Sequence, residues 1–180
     1  MKLVLASQSP RRQELLKNEG YIFEVCPSNI EEVFDESIDL DLAIQKVAYD
    51  KAKDVHDLYP ECVVLGADTI VDYQNKRLGK PKDINQARQF LKMLSGQSHY
   101  VKTGVAIIYP NEVIQFTETT EVHFRDLSDF EIEKYLKKQS CLDKAGAYGI
   151  QECDFVEWID GSFNNVVGLP TETLKKVLFK

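Results

Sequence analysis

Short apolar runs alternate with longer amphipathic stretches along the whole chain. Lys2–Ala6 predicts a short buried strand. A helix follows, with Ser9 as its N-cap and Pro10 in the first turn, where the missing N–H costs nothing, and Gly20 ends it. Ile22–Cys26 predicts a second strand. Beyond an acidic loop from Pro27 to Ile38, a long helix is expected from about Asp39 to Leu58. Cys62–Gly66 is a strongly apolar strand, and Thr69–Asp72 resumes it past a step at Ala67-Asp68. Tyr73–Lys80 predicts a hairpin turn leading back to Gly79-Lys80-Pro81. Asp83 caps a helix to about Leu94, closed by Ser95-Gly96. Tyr100–Tyr109 and Val113–Phe124 alternate as two long antiparallel strands joined near Pro110-Asn111. Ser128 and Glu131 form a capping box for a helix to about Lys138. Asp143–Gln151 is rich in glycine, Val156–Ile159 and Asn165–Val167 predict short strands, and Pro170 opens a last helix. The class is α/β: a mixed sheet with flanking helices.

Composition narrows this picture. At 180 residues the chain suits one domain, residues 1–180, or two small lobes sharing a cleft, since domains run to roughly 100–200 residues. A hydrophobic content of 43% is enough for a buried core. The net charge of −7 argues against a broad nucleic-acid surface, which is usually basic, yet leaves room for one small anion held by a few local cations. Cys26, Cys62, Cys141 and Cys153 form no C-x-x-C pair, and with His56, His99 and His123 they fit no zinc template; free thiols in a reducing compartment are expected. Met1-Lys2 runs straight into the first strand, and no apolar run approaches the ~20 residues of a membrane helix. The expected location is the cytoplasm, with no membrane partner.

The candidate chemistry begins at Ser7-Gln8-Ser9-Pro10-Arg11-Arg12, between a strand and a helix N-terminus. Free backbone N–H groups and the helix dipole favour an anion there, and two hydroxyls with two guanidiniums add donors for phosphate oxygens. A plain N-cap with solvated arginines is the alternative. In Gly66-Ala67-Asp68-Thr69 an acid ends an apolar strand, a position suited to holding a divalent metal or taking a proton from water, or simply to capping a loop. Glu31-Glu32 adds carboxylates on a loop. On the long helix Val47, Lys51 and Val55 share one face, so Lys51 either snorkels to solvent or reaches a buried anion. Lys80 and Lys144 border glycine or proline turns, where backbone can approach a ligand closely. Gln151 ends the glycine-rich loop, and its amide can both donate and accept, as the edge of a nucleobase requires.

Taken together, these segments resemble the Maf-like family of nucleoside triphosphate pyrophosphatases. The matching stretches are Ser7–Arg12, Glu31-Glu32, Lys51-Ala52, Gly66–Thr69, Gly79–Pro81, Ser95-Gly96 with His99 and Thr103-Gly104, Asp143–Gln151, and Gly161-Ser162 through Gly168-Leu169-Pro170. They fall in family order over nearly the whole chain. The resemblance implies a deep central cleft, a fold similar to the inosine triphosphate pyrophosphatases, divalent-metal dependence, and cleavage between the α- and β-phosphates. By motif position Asp68 matches the proton acceptor, and Arg11, Thr69 and Gln151 match the substrate-selecting positions of the branch that takes dTTP and UTP. Many members carry Asp-Glu where this chain has Glu31-Glu32. The resemblance also implies a homodimer.

The expected mechanism follows from that match. Ser7, Ser9, Arg11, Arg12, Lys51 and Lys80 are expected to receive the triphosphate. Glu32 and Asp68 are expected to hold magnesium or manganese, Asp68 to activate the attacking water, and Thr69 and Gln151 to read the base. Two rival classes share the phosphate cradle: a non-catalytic nucleotide sensor and a nucleotide-binding regulator of cell division. Asp68, Glu32 and Lys80 favour hydrolysis over the sensor, since a sensor need not keep a hydrolytic set.

Overall fold

The computed structural model describes residues 1–138 and 140–179. Strand β1 (Leu3–Leu5) lies between β2 (Phe23–Val25) and β3 (Val63–Tyr73) and is parallel to both: Leu5 faces Val25 on one side and Leu65 on the other. Parallel neighbours need crossovers, and helices supply them. Helix α1 (Pro10–Asn18) links β1 to β2, and α2 (Leu40–His56) links β2 to β3. Strand β4 (Lys76–Leu78) returns antiparallel to β3 through Gln74 and Asn75, both at positive φ (51° and 61°), the conformation of a two-residue hairpin turn. Then come α3 (Ile84–Leu94), β5 (Ser98–Ile108), β6 (Val113–Phe124), α4 (Asp129–Leu136), β7 (Val156–Asp160), α5 (Phe163–Val167) and α6 (Thr171–Val177). The sheet order is β2-β1-β3-β5-β6-β7, with β4 on β3. The chain is thus a mixed α/β protein.

The chain divides into two compact units. The first comprises Met1–Asp68, Thr103–Glu118 and Gly168–Lys180; the second comprises Thr69–Lys102 and Thr119–Val167.

In the first unit Val4, Ala6, Val64, Ala106 and Ile108 of the sheet pack against Ala48, Ala52 and Val55 of α2. The small residues are there for close approach. A Cβ on Gly66 would lie 2.3 Å from the Ala48 carbonyl oxygen, and one on Gly104 would lie 2.5 Å from that of Ile44. Helix α2 therefore rests directly on β3 and β5, and its height above the sheet is fixed by two missing methyl groups. Gly104→Ala forces helix backbone to move, because the nearest atoms are backbone rather than a yielding side chain. A loss of about 1–3 kcal/mol is expected from such overpacking. Thermal melting reads it as a Tm lower by roughly 2–4 °C per kcal/mol for a chain of this size; an unchanged Tm would contradict the close packing.

In the second unit Val71, Leu91, Leu94, Val122, Phe124, Tyr148 and Phe155 are buried together. His99 lies within this unit, its Nε2 2.7 Å from the Tyr148 hydroxyl and its ring edge-on to Phe124. Burial pushes the imidazole down to about 3, so it is neutral at physiological pH. His99 is a packing residue.

Two expectations need correction. Asn165–Val167 is not a strand but lies in helix α5. Ser162 Oγ accepts from the Asn165 N–H (3.0 Å), which starts the turn. The Asn165 amide is buried and donates to the Val101 carbonyl (3.1 Å) and Thr120 Oγ1 (3.0 Å), a tertiary demand invisible in the apolar pattern. Asp68, expected at a strand end, sits inside one continuous eleven-residue strand, β3. The step at Ala67-Asp68 does not exist, because the carboxylate finds a cation without leaving the strand.

Candidate active site

In the first unit, the turn after β1 presents hydroxyls and guanidiniums at the start of α1. Ser9 caps the helix, its Oγ accepting from the Arg12 N–H (3.4 Å). Ser7 Oγ accepts from the Ser9 N–H (3.2 Å) and from an Arg12 terminal nitrogen (3.2 Å). Arg12 Nε donates to the Gly168 carbonyl (2.8 Å). The guanidinium is thus held across its fork rather than waving in solvent. Gly168 sits at φ 134°, a backbone state that L side chains rarely adopt, and this turns its carbonyl toward Arg12. Arg11 is half-buried in the same first turn.

Beside this turn lies the carboxylate cluster. Leu5 and Leu65 are register partners, so Ser7 lies two residues past that rung, beyond the carboxyl end of β1, and Asp68 lies three residues past it, inside β3. That end of a parallel sheet is where α/β folds bind ligands. Lys51 precedes Ala52, and Asp68 follows Gly66 by two residues; the close approach of Ala52 to Gly66 brings the two side chains level. Lys51 Nζ lies 2.8 Å from Asp68 Oδ1 and 2.8 Å from Glu32 Oε1. Its side chain is only 12% exposed and that of Asp68 13%, so Lys51 reaches anions rather than snorkelling. Glu32 comes from the loop before α2, and Asp54 explains its reach. Asp54 accepts from Ser28 Oγ (2.9 Å) and from the Asn29 N–H (3.0 Å), tying the loop's start to α2 one turn beyond Lys51. Glu31 is exposed.

The remaining expected residues belong to the second unit. Thr69 is half-buried in β3, directly after Asp68. Lys80 is exposed, 3.9 Å from Asp143. Gln151 is exposed, in a turn closed by the Glu152 N–H donating to the Gly149 carbonyl (2.9 Å). It borders a recess of about 530 Å³ that Lys134, Lys138, Glu131 and Glu152 also line. Lys144 is buried and serves the loop itself: Nζ donates to the Ser140 carbonyl (2.8 Å) and lies 3.3 Å from Glu152. The structure thus brings Ser7, Ser9 and Arg12 together, and Lys51, Glu32 and Asp68 together. The roles of Asp54 and of the Gly168 carbonyl were not read from the sequence. Only the glycine itself, within the Gly168-Leu169-Pro170 motif, pointed to the latter.

The donors fit a hard divalent cation. Glu32 and Asp68 each place one carboxylate oxygen 2.8 Å from Lys51 Nζ, and no group of three or more His, Cys, Asp or Glu that could hold a metal ion occurs among the described residues. Magnesium asks for this little, one or two carboxylates with water and substrate phosphates completing its shell.

Hydroxyls and guanidiniums at a helix N-terminus, with a lysine–carboxylate cluster reaching the neighbouring strand, make this a mixed α/β protein whose donors suit phosphate oxygens. This chain belongs to the Maf-like protein family, which matches residues 2–180. It is 48% identical over 179 residues to the dTTP/UTP pyrophosphatase of a Geobacillus species, covering 98% of this chain and 96% of that protein. It is 47% identical to the dTTP/UTP pyrophosphatase of Halalkalibacterium halodurans, with 98% and 94% covered. Among solved structures it overlaps a nucleoside-triphosphatase / dITP/XTP pyrophosphatase from Mycobacterium abscessus at a TM-score of 0.42 and 15% identity, covering 71% of this chain and 76% of that one. That likeness is too slight to bear on function.

Proposed function

We infer that this chain is a hydrolase that cleaves dTTP and UTP between the α- and β-phosphates, giving the nucleoside monophosphate and pyrophosphate. The observation that carries the reading is the cluster of Lys51, Asp68 and Glu32 beside the Ser7–Arg12 turn, in a chain nearly half identical to named dTTP/UTP pyrophosphatases. The α1 N-terminus, Arg11, Arg12 and Lys51 take the negative charge of the triphosphate, and Lys80 adds to it. Glu32 and Asp68 would hold a divalent cation, magnesium or manganese, whose charge would offset that of the phosphate oxygens. Asp68 orients a water and accepts its proton as the water oxygen bonds to the α-phosphorus. The bond from that phosphorus to the bridging oxygen breaks, and pyrophosphate leaves with its charge met by the cations.

Arg11, Thr69 and Gln151 select the base. A uracil or thymine edge presents a carbonyl, an N–H and a second carbonyl, and the Gln151 amide can match two of these at once. Four free thiols fit a reducing compartment, and we place the enzyme in the cytoplasm, acting on free nucleotides as a homodimer. Among the described residues no helix is long and apolar enough to cross a membrane.

Arg12→Ala is expected to lower kcat/KM for UTP by roughly 10- to 100-fold, the loss of a hydrogen bond to a charged group. Steady-state kinetics checks this. An unchanged kcat/KM would confine Arg12 to anchoring the Gly168 carbonyl.

A further inference from the structure

We propose that Lys51 is a built-in counter-cation that keeps a divalent metal off Glu32 and Asp68 until a nucleotide arrives, so that metal and triphosphate enter together. The proposal rests on reading Glu32 and Asp68 as the metal's carboxylates.

Lys51 Nζ lies 2.8 Å from an oxygen of each. The ammonium stands where the two carboxylates converge, the place a shared metal must take. Magnesium sits about 2.0–2.1 Å from its oxygens, so an ion bound to both carboxylates would lie against the ammonium. Two positive centres at that range repel, even with Glu32 open to solvent on one side.

The backbone that carries Lys51 is fixed, so only rotation of its side chain withdraws Nζ from the carboxylates. Val47 and Val55, one turn before and after it on α2, are buried, and the side chain has only 12% of its surface exposed. Helix α2 cannot lift, because Gly66 and Gly104 hold its backbone against the sheet. In the ligand-free protein the lysine therefore neutralises the carboxylates itself. A triphosphate changes the balance. It offers Lys51 other anions, and it brings further oxygens for the metal. Nucleotide and metal then favour each other's binding, and the coupling is reciprocal.

The test is a Mn²⁺ titration of the full chain, read by the electron paramagnetic resonance signal of free Mn²⁺. It is run with and without α,β-methylene-UTP, whose bridging carbon blocks cleavage, and binding is scored as the loss of signal beyond that caused by the analogue alone. Lys51→Met removes the charge while keeping an unbranched stem. It is expected to tighten Mn²⁺ binding to the nucleotide-free protein by about tenfold or more, as removal of one adjacent charge implies. Adding Glu32→Gln to Lys51→Met is expected to abolish the gain. The parent is expected to bind Mn²⁺ weakly alone and much more tightly with the analogue. Lys51→Gln serves as a second variant, and a melting curve establishes that each variant is folded. Folded variants that bind Mn²⁺ no more tightly than the parent overturn the proposal alone. Absence of Mn²⁺ binding by every protein, even with the analogue present, overturns the metal reading of Glu32 and Asp68 and this proposal with it.

Discussion

Asp68→Asn is expected to lower the turnover of UTP and dTTP by roughly 10²–10⁴-fold, the range for loss of a general base. The substitution keeps the shape of the side chain, so the eleven-residue strand β3 and the packing of Gly66 on α2 are undisturbed. It removes the proton-accepting oxygens and leaves a neutral amide 2.8 Å from Lys51 where a carboxylate stood. Lys51 keeps Glu32 as a partner, so no cation is left unpaired in the site. The effect should therefore appear in kcat rather than in Tm. Single-turnover measurement of pyrophosphate release at saturating metal separates chemistry from binding. Near-parental turnover there would remove Asp68 from both proposed roles, base and metal ligand.

Metal removal is expected to have a still larger effect. In excess chelator, pyrophosphate release should fall to background, and magnesium or manganese should restore it. The reason lies in the donor set: two carboxylates, one of them on the half-exposed Glu32, with no third His, Cys, Asp or Glu completing a cluster among the described residues. Such a site leans on the substrate's own phosphates and holds an ion loosely. A chelator should strip it quickly and reversibly, unlike a closed structural site. Full activity in excess chelator would leave Glu32 as no more than a partner of Lys51.

Much of the fold was legible because its signals are local. The Ser9 and Asp83 caps, the Ser128–Glu131 capping box and the apolar run at Val63 each act over a few residues, and each element formed where its signal stood. Failure came where tertiary contacts decided. Asn165–Val167 reads as a short strand, yet the buried Asn165 amide is drawn to Val101 and Thr120, and Ser162 starts a helical turn. The break expected at Ala67-Asp68 stands where an acid ends the apolar run, and a buried carboxylate is costly unless it is paired. Lys51, seventeen residues earlier, removes that cost, and only the packing of α2 on β3 reveals the pairing. For the same reason the choice between a snorkelling and an anion-seeking Lys51 could not be made from its helical face. It depended on glycines in β3 and β5, distant in sequence from the helix they admit.

The most direct test of the proposed activity is a competition assay on the purified chain with magnesium present, following pyrophosphate and monophosphate from dTTP, UTP, ATP and GTP. A site that reads a pyrimidine edge through the Gln151 amide penalises a base that leaves its polar groups unpaired. The expected result is release of pyrophosphate, not orthophosphate, with kcat/KM for dTTP and UTP above that for ATP and GTP, and with Gln151→Ala narrowing the gap. Equal kcat/KM for all four would contradict the base assignment, and orthophosphate in place of pyrophosphate would contradict the cleavage between the α- and β-phosphates.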